Sequence, residues 1–216
     1  MRKATRLILA LDVLSAKNAH HLARVLKDQV DYIKIGYPLI LAGGLETISQ
    51  ISAVAPVIAD LKVADIPNTN TLISRQVLAA GAEGLISHAF TGRDSLKACV
   101  NVAREFDALT FAVVEMSHPG ALDFMAPIAE ELVKAAVESG VDGVVAPATR
   151  PERIRLIRSK IGDKVIIAPG VGAQGGSAKA AIDAGADYLI VGRSVIDAKD
   201  PVAAISEIRN QIADID

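Results

Sequence analysis

The stretch VIADLKVADIPNTNTLISRQVLAAGAEGLIS, residues 57–87, decides the fold. It opens on a short aliphatic run, Val57–Leu61, of the kind that forms a strand buried on both faces. Asn68–Ala80 then carries apolar residues at helical spacing. Ala80-Gly81-Ala82 follows as a stop signal, because a helix C-terminus favours glycine in a left-handed conformation. Gly84–Ser87 reads as the next strand. Strand, helix, glycine and strand make one βα unit and the start of another.

The same order recurs on both sides of this stretch. Further strand candidates are Leu7–Leu11, Tyr32–Ile35, Leu109–Val114, Gly143–Val145, Val165–Ile167 and Tyr188–Val191. Amphipathic segments lie between them, among them Lys17–Lys27, Asp94–Arg104, Ile128–Ser139 and Pro151–Ile161. Ser139-Gly140-Val141 and Ala184-Gly185-Ala186 repeat the glycine stop. About eight units of roughly 25 residues match a closed (β/α)8 barrel. The expectation is an α/β protein with one TIM-barrel catalytic domain over residues 1–216. A doubly wound open sheet is the alternative, because periodicity does not encode closure.

Composition agrees with a buried parallel sheet. Of the 216 residues, 51% are hydrophobic, only 3% are aromatic and none is Trp. The formal net charge is -2 with the charges interspersed, so a nucleic-acid surface is not expected. The single cysteine, Cys99, excludes an intrachain disulfide and agrees with a reducing cytoplasm. No apolar run reaches the roughly 18 residues that span a bilayer. The basic start, Met1–Arg6, is followed by an apolar run too short for a secretory signal. A cytoplasmic protein with no membrane association is expected.

In a parallel barrel, function gathers where the strands end. Polar residues break the apolar runs there: Asp12, Lys34, Asp60, Lys62, Ser117 and Arg193. Strand side chains alternate with period two, so Ile58, Asp60 and Lys62 share a face. If Asp60 points into the barrel, Lys62 does too, and Lys34 on the neighbouring strand converges on them. A carboxylate between two ammonium groups stays ionised and keeps both lysines protonated. Such a cluster is either a preorganised electrostatic site or a structural ion-pair network at the rim, and the spacing alone leaves both open. Ile58, Ile86 and Val113 are read first as core.

A second site lies at the other side of the barrel mouth. Pro169-Gly170-Val171-Gly172-Ala173-Gln174-Gly175-Gly176 follows the seventh strand, and Gly192-Arg193 follows the eighth. Barrels often bind phosphate in this pair of loops, where glycines let backbone N–H groups approach an anion and an arginine can pair with it. Tight turns use the same glycines; Arg193 on the adjoining loop favours phosphate. Ser117 has no general base at fixed spacing and is not read as a nucleophile. The four histidines show no metal-ligand spacing, and His88 is expected to be a satisfied structural residue.

These elements together resemble the orotidine 5′-monophosphate decarboxylases, in the compact microbial and archaeal form. The resemblance rests on Asp60-x-Lys62-x-x-Asp65-Ile66-x-x-Thr69, Asp12, Ile33-Lys34-Ile35-Gly36, Met116-Ser117-His118-Pro119-Gly120-Ala121, the glycine-rich loop and Val191-Gly192-Arg193-Ser194. They run in family order along nearly the whole chain. The resemblance implies decarboxylation to uridine 5′-monophosphate, the last step of pyrimidine nucleotide synthesis, without metal or cofactor. It implies that Lys62 protonates carbon 6 and that Asp60 lies beside the departing carboxylate. Lys34 and Asp12 would bond the ribose and order the charge row. Asp65 and Thr69 would reach a neighbouring active site across a homodimer, and Ile66 between them would bind substrate. Ser117 would face the pyrimidine amide edge, linked by Gln174 to the phosphate loop. Pro169, Gly170, Gly192 and Arg193 would complete the substrate contacts.

Three rivals share parts of this pattern. Magnesium-dependent 3-keto-gulonate 6-phosphate decarboxylase and hexulose-phosphate synthase resemble the chain in Asp-x-Lys-x-x-Asp and the phosphate loops. They carry a glutamate where this chain has Lys34, and a cation site needs the acid. A non-enzymatic phosphate-binding barrel leaves the intact charged set without a purpose. Another sugar-phosphate or tryptophan-pathway barrel isomerase leaves the charge row unexplained.

Overall fold

The computed structural model describes Met1 and residues 4–213; Arg2 and Lys3 of the basic start, and residues 214–216 of the expected domain, lie outside the described residues. Eight parallel strands close in sequence order into a barrel, β1 (Leu7–Ala10), β2 (Tyr32–Gly36), β3 (Val57–Val63), β4 (Gly84–His88), β5 (Leu109–Val113), β6 (Gly143–Val145), β7 (Val165–Pro169) and β8 (Tyr188–Val191). Closure is made by β1 against β8, with Ile8 opposite Ile190. The open-sheet alternative is therefore set aside.

Helices cover the outside. They are α1 (Ala16–Leu26), α2 (Tyr37–Gly43), α3 (Glu46–Ser52), α4 (Pro67–Ala79), α5 (Arg93–Glu105), α6 (Ala121–Phe124), α7 (Ala129–Ser139), α8 (Pro151–Ile161), α9 (Ala178–Asp183), α10 (Arg193–Ile196) and α11 (Pro201–Asn210). Their starts follow simple chemistry. Ser15, Ser177 and Asp200 accept hydrogen bonds from first-turn amides of α1, α9 and α11, while α4, α8 and α11 begin on proline, which lacks the N–H a first turn cannot use. The three glycine stops all adopt positive φ: Gly81 at 103°, Gly140 at 82° and Gly185 at 106°. The short helices α2, α3, α6, α9 and α10 and the final helix α11 fall outside the expected segments, because few of them are long enough to show a helical period.

Period-two alternation divides the core into two shells. Ile8, Ile58, Ile86, Phe111, Val113, Tyr188 and Ile190 fill the barrel. Their strand neighbours Leu7, Leu9, Ala59, Leu85, Ala112, Leu189 and Val191 face the helices. Phe111 is accommodated because its β6 partner is Gly143, where a Cβ would stand 2.9 Å from the ring and 2.4 Å from the Val165 carbonyl oxygen. Burying these aliphatic side chains supplies about 25 cal/mol for each Å² removed from water, which drives the helices onto the sheet.

Two strand ends differ from expectation. β5 stops at Val113, so Ser117 lies beyond the strand in a bend. β3 runs on through Lys62 to Val63, but its register with β4 shifts between Ala59 and Val63. Lys62 itself sits at φ 43°, a left-handed conformation that costs a side-chain-bearing residue on the order of 1–2 kcal/mol.

Candidate active site

The mouth of the barrel holds a cavity of about 830 Å³, within the range of small-molecule sites. Asp12, Lys34, Asp60 and Lys62 line one side. Lys34 Nζ lies 3.5 Å from Asp12 Oδ1 and 3.0 Å from Asp60 Oδ2. Lys62 Nζ lies 2.9 Å from both Asp60 carboxylate oxygens. The charges therefore alternate along a row: Asp12, Lys34, Asp60, Lys62. Lys34 and Asp60 are each only 6% exposed.

Burial shapes the titration of this row. Desolvation alone would lower the Lys34 pKa, but Asp60 and Asp12 outweigh it and hold the ammonium above its ordinary range. Desolvation would likewise raise Asp60, but Lys34 and Lys62 hold its carboxyl below the usual carboxylate range. Lys34 and Asp60 keep their charges around neutral pH before any ligand arrives, which is the condition for electrostatic preorganisation. Ile86 and Val113 form part of the cavity wall as well as of the barrel core. Ile58 remains core.

Ser117, Pro169, Gly170, Gln174, Gly192 and Arg193 line the other side of the same cavity. The glycine-rich loop is tied to itself: the Gly176 amide donates to the Gly170 carbonyl, and the Gly172 amide to the Gly176 carbonyl, both at 3.0 Å. Gly176 is packed so that a Cβ would stand 2.6 Å from the Gly170 carbonyl oxygen. Gly170 lies between Ser117 and Gln174, and among the described residues no hydrogen bond joins those two side chains. The Ser117 carbonyl instead accepts from Thr149 Oγ1 at 3.2 Å.

Asp65, Ile66 and Thr69 are not part of this cavity wall. Asp65 and Ile66 are exposed and Thr69 is half-buried at the start of α4. His88 is buried, and its Nδ1 has no hydrogen-bond partner among the described residues, contrary to the expected satisfied histidine. Burial, with Lys62 nearby, pulls its pKa down to about 4, so the imidazole is neutral at pH 7.

One network behind the wall, which Arg150 reaches, escaped the sequence reading. Glu115 is fully buried and accepts from Arg150 Nε at 3.1 Å and Arg153 Nε at 2.7 Å. Arg150 Nη2 also donates to the Met116 carbonyl, and Arg153 Nη2 donates to the Ala126 carbonyl at 3.0 Å. This network fixes the segment carrying Ser117. The signal available was an acidic residue directly behind the apolar run of the fifth strand; its partners lie over 30 residues away. Among the described residues no group of three or more His, Cys, Asp or Glu side chains is arranged to hold a metal ion.

The profile of the family described as Orotidine 5′-phosphate decarboxylase / HUMPS matches residues 5–208. The orotidine 5′-phosphate decarboxylase of Methanococcoides burtonii is 54% identical over 213 residues, 98% of this chain and 99% of that protein. That of Thermococcus kodakarensis is 47% identical, with 98% of each chain covered. Among solved structures, the Methanocaldococcus jannaschii enzyme complexed with the inhibitor BMP is 43% identical at a TM-score of 0.90, covering 95% of this chain and 97% of that one. The Pyrococcus horikoshii enzyme is 45% identical at a TM-score of 0.89, covering 97% and 100%.

Proposed function

The chain belongs to the orotidine 5′-phosphate decarboxylase / HUMPS family, and from that premise we propose how its charge row carries out the reaction. The protein decarboxylates orotidine 5′-monophosphate to uridine 5′-monophosphate. The bond from carbon 6 to the carboxylate breaks, carbon dioxide leaves, and the electron pair stays on carbon 6 as a vinyl-type carbanion. The ring offers that pair no π-delocalisation. Lys62 supplies a fixed cation beside it and transfers an ammonium proton to carbon 6, leaving a neutral amine that takes a proton back from water. Asp60 faces the substrate carboxylate, and their repulsion is relieved as neutral carbon dioxide departs. Ile86 and Val113 give that product an apolar wall. Lys34 and Asp12 hold the ribose, and Lys34 together with Lys62 keeps Asp60 ionised.

The observation that carries this reading is the placement of one buried carboxylate within 3.0 Å of two ammonium groups at the cavity wall. Lys34 also separates this chain from its magnesium-dependent relatives. Its ammonium lies against Asp60 where a metal site would call for an acidic ligand, and a fixed cation there repels a second one. Arg193, Gln174 and the loop amides are the proposed phosphate contacts, with Pro169, Gly170 and Gly192 shaping the passage and Ser117 facing the pyrimidine.

The proposed working unit is a homodimer in which Asp65, Ile66 and Thr69 of one chain complete the cavity of the other. Their position outside their own cavity supports this, as do the apolar Ile66 and Leu72, 65% and 56% exposed beside it. No described helix is long and apolar enough to cross a membrane, and the lone buried Cys99 suits a reducing cytoplasm. The test is turnover of orotidine 5′-monophosphate in excess chelator, followed by pyrimidine absorbance. Undiminished turnover is expected, and its abolition would favour the metal-dependent alternative. For the shared site, mixing Lys62→Ala and Asp65→Ala subunits is expected to restore activity that neither has alone.

A further inference from the structure

Asp65 reaches outward from the turn between β3 and α4, yet its backbone is gripped from the interior. The Asp65 amide donates to Asn70 Oδ1 at 3.0 Å, and the Asp65 carbonyl accepts from Ser95 Oγ at 2.8 Å. Asn70 Nδ2 donates to Ser95 Oγ at 2.6 Å and to the Ser95 carbonyl at 3.3 Å. Asn70 is fully buried and Ser95 is 2% exposed. The Ser95 amide is held in turn by Asp94 Oδ1 at 2.8 Å, and the Ile66 amide by Asp65 Oδ1 at 2.7 Å. The amide and the carbonyl of Asp65, which belong to the two successive peptide units flanking its Cα, are thus fixed by two buried side chains from two different helices.

We infer that Asn70 and Ser95 are positioning residues for Asp65, acting through the main chain to aim its carboxylate at the second active site. This rests on the reading that Asp65 serves the other chain's cavity. A polar pair in an apolar layer is costly unless every group is bonded, and an apolar pair could fill the same space without that requirement. What the polar pair adds is direction. It specifies one conformation for a turn whose side chain has to arrive at another subunit, where no contact from its own cavity can steer it. A misplacement on the order of 1 Å can cost about 100-fold in rate.

The clamp acts in trans, and that gives it a distinctive test. Asn70→Ala is expected to lower kcat by about 10- to 100-fold. In a dimer of Asn70→Ala with the inactive Lys62→Ala, one site combines the normal Lys62 of the first chain with the correctly held Asp65 of the second. After full subunit exchange in an equal mixture, about a quarter of the sites are intact in a two-fold dimer. Adding a dead subunit should therefore raise total turnover several-fold above Asn70→Ala alone. A merely structural role for Asn70 does not produce that gain. Ser95→Ala, which removes only one hydroxyl, is measured in the same way and serves if Asn70→Ala does not fold.

Turnover that simply falls on dilution, while the Asp65→Ala and Lys62→Ala mixture recovers, would overturn the clamp and leave the shared site standing. Failure of both mixtures, with exchange demonstrated, would overturn the shared site and the clamp with it.

Discussion

The Lys62 ammonium is bonded to both oxygens of Asp60 although the strand that carries them slips register between Ala59 and Val63. Lys62 takes a positive φ of 43° while Leu61 and Val63 still face the helices. The backbone is strained locally so that a side chain can be presented inward to a buried carboxylate. Strain of this kind persists where the surroundings over-determine it, and functional sites are where it concentrates.

Replacing Lys62 by Ala is expected to lower kcat by about 10⁴-fold or more, since general acid catalysis alone is worth about 10²–10⁴ and the fixed cation is lost as well. Binding of uridine 5′-monophosphate should survive. Lys62→Gly should be equally inactive but about 1 kcal/mol more stable than Lys62→Ala, because glycine tolerates positive φ. Steady-state kinetics and thermal melts of the two variants check both statements; near-normal turnover in either would remove Lys62 from its acid role.

The row makes a signed pH prediction. Asp60 has a folded-state pKa below its unfolded value, so its contribution to stability is present above the ordinary carboxylate range and is lost as pH falls through the depressed value. Lys34 is raised, so its contribution is present below the ordinary lysine range and is lost as pH rises through the raised value. Between those limits this pair adds no pH dependence. Lys34→Ala removes one of the two cations that depress Asp60, and the acid limb of Tm against pH should move to higher pH. An unmoved limb would show that Lys34 is not what holds Asp60 ionised.

The buried Glu115 should matter for stability more than for chemistry. Glu115→Ala leaves Arg150 and Arg153 without their carboxylate partner in a largely buried setting. The expected loss is about 3 kcal/mol, or roughly 6–12 °C in Tm for a chain of this size. Differential scanning calorimetry measures it. A shift of about 1 °C would mean that the network is solvated.

Gly176→Ala places a methyl group against two carbonyl oxygens, 2.6 Å from that of Gly170 and 3.0 Å from that of Ala148. Backbone cannot move aside as a flexible side chain would, so the loop must distort. A cost on the order of 1–3 kcal/mol corresponds to about a 5- to 150-fold fall in kcat/KM for the nucleotide. Decarboxylation of the phosphate-free nucleoside should change little. Equal losses on the two substrates would dissociate this loop from phosphate.

Much of the barrel was legible because its rules are local. Short aliphatic and β-branched runs marked all eight strands, and Gly81, Gly140 and Gly185 marked helix ends through a conformation few other residues adopt. Asp60 and Lys62 could be placed on one face from their spacing alone, and the structure keeps them there. The means differ: regular alternation was expected, and a register slip with a left-handed Lys62 was found. Short helices such as α2 and α9 left too little periodic signal to read.

By itself, then, the amino-acid sequence determined the alternation of strands and helices and the residue types gathered at the strand ends, since both are written at separations of two to four residues. Tertiary structure alone decided that the sheet closes, that Lys34 and Asp60 meet at 3.0 Å, that Glu115 finds two arginines, and that Asn70 and Ser95 hold Asp65. All but the bond from the Asp65 amide to Asn70 join residues 25 or more positions apart. Their energies depend on the direction and burial that packing imposes, and no local pattern carries that information.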